Sequence, residues 1–187
     1  MERDPGAVLD ELRVVLARGG SSEAFSQLVV RWSPGLHRHA RRLLGDHERA
    51  ADVVQDAWLN IARGLRRLDD PARFAPWAFA IVTRRCVDVM RRGQRERRLT
   101  AAAAHEAAVI APDGSAAAAE ARLDLAAAIA RLPLDQRLPV SLHYGEGLGV
   151  DEIAAAHGVP PGTVKSRLYA ARQALRTHLQ GADDDQG

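Results

Sequence analysis

A chain of 187 residues with 47% apolar residues holds enough material for one moderate core or two small ones, and its formal net charge of +2 is nearly balanced. Aromatic residues make up only 4%, β-branched runs are scarce and no apolar–polar alternation persists, which argues against a sheet and for an all-α fold. No apolar run is long enough for a membrane span, no signal-peptide core opens the chain and the one cysteine, Cys86, has no internal partner, so the expectation is a cytoplasmic protein without disulfides or membrane insertion.

In chain order, Val8, Leu12 and Val15 fall at helical spacing in a first segment that ends at Gly19-Gly20. Ser21 and Ser22 are candidate N-caps for the next helix, whose apolar stripe of Phe25, Leu28, Val29 and Trp32 resumes beyond Pro34 as Leu36, Ala40 and Leu43. Pro34 is expected to kink or break it. Gly45-Asp46 closes this segment and opens a long helix from about His47 to Leu65. There Ala51, Val54, Trp58, Ile61 and Leu65 line one side, which turns Asp52, Asp56, Leu59 and Arg63 outward with Gln55 at the edge. A leucine ringed by carboxylates and an amide has the makings of a small docking patch.

A third segment runs from about Pro71 to Arg92, with Phe74, Trp77 and Ile81 at the spacing of inward-facing residues. Seven arginines lie between Arg84 and Arg98 against only Asp88 and Glu96, a cationic stretch suited to phosphates. From Gly93 to Ala119 the pattern dissolves into arginines and alanines, and 94–119 reads as a flexible linker. Periodicity returns with Leu123, Leu125, Ile129 and Leu132, followed by a helix from about Asp135 to Tyr144. The expected architecture is two small helical domains, 20–93 and 120–178, joined by that linker and followed by an acidic tail, 179–187.

Asp151 to Leu168 then reads as a helix, a glycine turn at Gly158 and a second helix begun by Pro161, the layout of a DNA-binding helix-turn-helix. Val164, Leu168, Ala171 and Leu175 form its buried stripe. The opposite side offers Gly162, Ser166, Tyr169 and Gln173, flanked by Lys165, Arg167, Arg172 and Arg176. Small residues there permit close approach to a major groove, and the cations can meet phosphates or guanine edges.

The string Gly162-Thr163-Val164-Lys165-Ser166-Arg167-Leu168 resembles region 4 of bacterial RNA polymerase sigma factors, particularly the short extracytoplasmic-function (ECF) group. An independent stretch, Ala51 to Leu59, resembles the polymerase-binding part of sigma region 2. The resemblance implies that Asp52, Gln55, Asp56 and Leu59 grip core RNA polymerase. It implies a −10 surface built from Leu68, Asp69, Asp70, Arg73, Arg84, Arg85, Arg91 and Arg92, the loop from Leu68 to Ala72 shaping a pocket for an unstacked base. The −35 element falls to Thr163, Lys165, Ser166, Arg167, Tyr169 and Arg172, with Arg167 and Arg172 serving phosphate contact or packing. An anti-sigma partner is implied as well. The chain departs from the commoner family pattern at Phe79-Ala80, Arg84, Gly149 and Ala170, which bears on the promoter bases read rather than on the class.

Two other readings stay open on residues alone. One is a stand-alone regulator that dimerises through its first module and binds a palindrome. The other is a nuclease or metal hydrolase built on His37, His39, Asp46 and His47; but His37 and His39 point to different faces of a helix and no complete ligand set accompanies them. Surface histidines are expected, with no cofactor, metal or catalytic residue.

Overall fold

The computed structural model describes residues 5–100 and 125–184, and among these every regular element is a helix. The order is α1 (Pro5–Arg18), α2 (Ser22–Leu44), α3 (His47–Gly64), two 3-10 turns (Leu65–Arg67 and Pro71–Arg73) and α4 (Phe74–Thr100). After the undescribed stretch come α5 (125–131), α6 (Leu134–Glu146), α7 (Val150–His157) and α8 (Pro161–Asp184).

Local chemistry places most of the boundaries. The Ser21 hydroxyl accepts from the Ala24 amide at 3.2 Å and starts α2. Gly45, at φ 71°, ends that helix in a left-handed turn that a side chain would strain, and its N–H reaches the Arg41 carbonyl. Asp46 then caps α3 by accepting from the Arg49 amide at 3.1 Å. Gly158, at φ 64°, makes the same stop between α7 and α8.

Two boundaries differ from expectation. Pro34 lies inside an unbroken α2. It sits on an exposed side of the helix, so the hydrogen bond it cannot donate is lost where the carbonyl of Val30 faces water. Helix α4 continues past Arg92 through Gly93 to Thr100, because Arg and Gln favour helix and no proline intervenes. The stretch read as linker therefore begins as helix; its remainder, 101–119, lies outside the described residues, as does the end of the acidic tail, whose first residues continue α8.

The N-terminal module buries Leu28, Leu36 and Ala40 of α2, Val54 and Ile61 of α3, and Phe74, Phe79 and Val82 of α4. Trp32 meets Phe79 edge-on at 6.3 Å. Cys86 is buried among them, its thiol pushed up to about 12 by desolvation, so it packs as a small apolar group. The C-terminal module closes over Leu142, Ile153, Val164, Leu168 and Ala171. These two cores form one continuous apolar cluster, since α6 packs on α2 and α7 packs on α4.

Helix α1 reverses the usual amphipathic logic. Its inner side holds Val14 and Asp10, whose carboxylate pairs with Arg13 at 2.9 Å and Arg31 at 3.6 Å. Val8, Leu12 and Val15, the stripe visible in the sequence, are half exposed together with Leu9 and Leu16.

Candidate nucleic-acid and polymerase interfaces

Helix α3 separates its two sides cleanly. Val53, Val54, Ala57 and Ile61 are buried, while Asp52, Gln55 and Asp56 are exposed and Leu59 is 53% exposed. Trp58 fixes the helix from its half-buried flank: its indole N–H donates to Ser33 Oγ at 3.0 Å and its ring meets Phe25 edge-on at 5.7 Å. The outward patch is thus anionic around one apolar side chain, held on a rigid element.

The set read for −10 DNA divides. Asp69, Asp70 and Arg73 are exposed in the turns before α4, where the Asp70 carboxylate accepts from the Ala72 amide at 3.0 Å and shapes the loop. Leu68 is buried and forms a wall of the loop. On α4, Trp77, Ala80 and Arg84 line one cleft with Leu68, Arg73 and Pro76. Arg91 follows Arg84 by seven residues, two helical turns, and shares that side; Arg85 and Arg92 share the adjacent one. Arg85 lies 3.9 Å from the Asp56 carboxylate, so it bridges toward the α3 patch. Trp77 is half-buried, tilted against Phe74 at 6.2 Å and passing close to Gly64, while Phe74 and Phe79 are core residues unable to stack on a base.

In the helix-turn-helix, the Gly149 amide donates to Glu152 Oε2 at 2.7 Å, so a side chain three residues on supplies the start that Gly149 lacks. Val164, Leu168 and Ala171 anchor α8, and Lys165 and Ser166 are exposed beside Tyr169, which is 59% exposed. The Ser166 hydroxyl donates to the Thr163 carbonyl at 2.9 Å, leaving its lone pairs outward. Arg167 turns toward its own module, 3.6 Å from Asp135, and Arg172 donates to the Tyr144 hydroxyl at 3.2 Å. Of the flanking cations, Arg167 and Arg172 thus meet partners within the module, while Lys165 and Arg176 are exposed beside the reading face.

Of the histidines expected at the surface, His47 is exposed and His37 partly so, but His39 departs from that role. His39 is fully buried, with Nδ1 3.0 Å from Ser141 Oγ and Nε2 2.8 Å from Thr83 Oγ1, and its ring is edge-on to Phe79 at 5.5 Å. Burial above all, with nearby Arg42 and His157, pulls its pKa down to about 3, so it is neutral, donating from one nitrogen and accepting at the other. The stripe of Leu36, Ala40 and Leu43 passes over position 39, and that was the signal for it. Among the described residues no group of three or more histidine, cysteine or carboxylate side chains is placed to hold a metal, and no helix is long and apolar enough to cross a membrane.

Comparison with known proteins matches both modules. Residues 28–96 fit the family description of sigma-70 region 2, and residues 122–175 that of sigma-70 region 4. The ECF RNA polymerase sigma factor SigM of Mycobacterium tuberculosis is 34% identical over 160 residues, covering 83% of this chain and 77% of SigM. Among solved structures, the sigma factor RpoE in complex with the anti-sigma factor NepR from Bartonella quintana superposes with a TM-score of 0.73 at 28% identity, covering 83% of this chain and 96% of that one. CnrH in complex with the cytosolic domain of CnrY gives 0.71 at 27% identity, covering 92% and 98%.

Proposed function

The chain belongs to the ECF group of the sigma-70 family of bacterial RNA polymerase sigma factors, and on that premise we propose how its surfaces divide the work of promoter-specific initiation. Its partners are core RNA polymerase and promoter DNA. Asp52, Gln55, Asp56 and Leu59 of α3 dock the polymerase: a leucine surrounded by acceptors fits a helical partner bearing cations around an apolar groove. Lys165, Ser166 and Tyr169 of α8 enter the major groove of the −35 duplex, with Thr163 at the helix start, while Arg167 and Arg172 fix the helix in its module.

The −10 strand is taken by the turns and the first half of α4. Arg73, Arg84 and Arg91 meet its phosphates, and the loop from Leu68 through Asp69 and Asp70 receives an unstacked base. Arg85 and Arg92 lie on the neighbouring side, between this surface and the polymerase patch. Sigma factors as a class regulate initiation and carry out no catalysis of their own, and these residues bind, orient and separate strands. An anti-sigma factor is a further partner by analogy with the solved relative RpoE, determined in complex with the anti-sigma factor NepR.

The observation that carries this reading is the exposure of two chemically distinct patches, on α3 and α8, each backed by a buried stripe of the same helix. In vitro transcription with bacterial core polymerase and a pooled promoter library tests it. The native chain is expected to produce discrete start sites, Asp56→Arg to lose them, and Lys165→Ala to weaken them or shift the −35 preference. Absence of start sites, with the chain alone binding a palindromic duplex, would establish the stand-alone regulator instead.

A further inference from the structure

The outer side of α1 is apolar from end to end, and neither DNA reading nor polymerase docking uses it. Val8, Leu9, Leu12, Val15 and Leu16 each keep between 45% and 53% of their surface in solvent, and the other exposed positions of the helix are Pro5 and Ala7. Its charged side chains lie elsewhere: Asp10 is buried, and Glu11, Arg13 and Arg18 are only partly exposed. The Asp10 carboxylate meets Arg13 at 2.9 Å and Arg31 of α2 at 3.6 Å, while Arg13 Nε donates to Gln27 of α2 at 3.2 Å. Polar contacts thus hold the inner side against α2, and the aliphatic side chains are left outside, the reverse of an ordinary surface helix. Together they expose on the order of 400 Å² of contiguous apolar surface, a size that on a soluble chain marks a contact site.

The pattern on this face is its own match. Val8 and Leu16 lie four residues to either side of Leu12, and Leu9 and Val15 lie three. On the helical wheel Leu12 stands at the centre of the stripe, with Val8 and Val15 along one edge and Leu9 and Leu16 along the other. A second α1 laid antiparallel on the first, about a two-fold axis at Leu12, therefore sets Leu12 on Leu12, Val8 on Val15 and Leu9 on Leu16, the self-complementary contact of a two-fold dimer. The seven-residue spacing along each edge is that of paired helices. The exposed positions carry no charge, so nothing on the face itself repels a second copy. Two such faces bury on the order of 800 Å² between them, at the small end of specific interfaces, where association is reversible. The site also lies apart from the α3 patch and the α8 face, since α1 packs on α2 and on the two 3-10 turns.

We propose that α1 is a self-association surface, through which two copies of this chain pair antiparallel about Leu12 to form a weak, concentration-dependent dimer. The pairing covers the apolar stripe without a different protein and falls apart on dilution.

Sedimentation velocity of the full-length native chain, Leu12→Glu and Leu125→Glu tests this. The native chain is expected to pass from monomer to dimer with a Kd of about 10–100 μM. Leu12→Glu sets two carboxylates face to face in an apolar contact and should weaken pairing by about thirtyfold or more. Leu12 is half exposed, so the variant leaves the core untouched, and native helical circular dichroism distinguishes loss of the dimer from loss of the fold. Leu125→Glu alters an exposed leucine of the C-terminal module and should dimerise as the native chain does. Under mild oxidation, Val8→Cys and Val15→Cys chains mixed together should crosslink to each other faster than either does to itself, with Cys86 shielded by burial. A native chain that stays monomeric throughout, as it would if the stripe served only a different protein, would overturn the proposal. So would a dimer that survives Leu12→Glu, or one lost equally in Leu125→Glu, which would mean unspecific apolar clustering. Val8→Cys crosslinking chiefly to itself would overturn the antiparallel pairing.

Discussion

The α8 face and the α4 face both carry cations that we propose meet DNA, yet one is open and the other looks onto a neighbouring helix. On α8, Lys165, Ser166 and Tyr169 point to solvent and two of the flanking arginines are tied back to Asp135 and Tyr144. On α4, Trp77 and Arg84 look onto the alanines of α7 across a narrow cleft. The α3 patch belongs with the open class.

The largest effect should come from the open polymerase patch. On the proposed docking, Asp56→Arg places a cation against the partner's cations and frees Arg85 of its neighbour, and a change of about 2–4 kcal/mol in binding is typical of such a centre. Titration of core polymerase should show a weakening of about thirtyfold or more, at about 1.4 kcal/mol per decade, with the helical circular dichroism of the variant unchanged. Next comes Lys165→Ala on the open DNA face, for which about 1–3 kcal/mol is expected in binding of the polymerase complex to −35 duplex. The slope of log K against log salt should also flatten by about one unit, as one fewer phosphate is neutralised; an unchanged slope would assign Lys165 to base edges instead.

Acidification addresses the packing of α6 on α2 and of α7 on α4. His39 faces Arg42 of its own helix, Thr83 of α4, Ser141 of α6 and, more distantly, His157 of α7, while Glu146 meets the same Arg42. The pKa of His39 is pulled down to about 3 in the packed chain, so a chain that exposes it binds a proton which the packed one refuses. The packing is therefore at full strength above the ordinary histidine value near 6.5 and weakens as pH falls below it, by about 1.4 kcal/mol at one unit below. His157, also depressed by burial and by Arg167, acts in the same direction. Scattering at about pH 7.5 and about pH 5.5, on either side of that value, should show expansion at the lower one, and none in His39→Leu beyond the share due to His157. The smallest effect is that of Arg84→Ala, which should reduce strand capture within the polymerase complex several-fold, read by permanganate reactivity of the promoter bubble.

What was legible in the sequence was local. Ser21, the Gly45-Asp46 pair and Gly158 each act within four residues, and all mark helix ends as expected. The stripe of Val164, Leu168 and Ala171 determined which side of α8 is left to solvent, and the outward positions on α3 followed from one helical wheel. The continuation of α4 to Thr100 was hidden because arginine-rich helix and arginine-rich linker look alike until something packs on them. The ion pair of Glu146 with Arg42 was hidden for a different reason: the two are ordinary charges in sequence and meet only where α6 crosses α2 at Gly35 and Gly145. His39 lay within a visible stripe, yet its polar partners come from two other helices.

The distance between the modules tests the contrast between the open α8 face and the covered α4 face most directly. With dyes on cysteines introduced at the exposed positions Glu48 and Gln173, and Cys86 shielded by burial, single-molecule energy transfer can follow the chain alone and then with core polymerase and promoter DNA. One high-transfer population in the free chain, giving way to a low-transfer population in the assembled complex, is the predicted result. An unchanged distance on assembly would contradict the account, since the α4 surface would then have to bind its strand with α7 still in place.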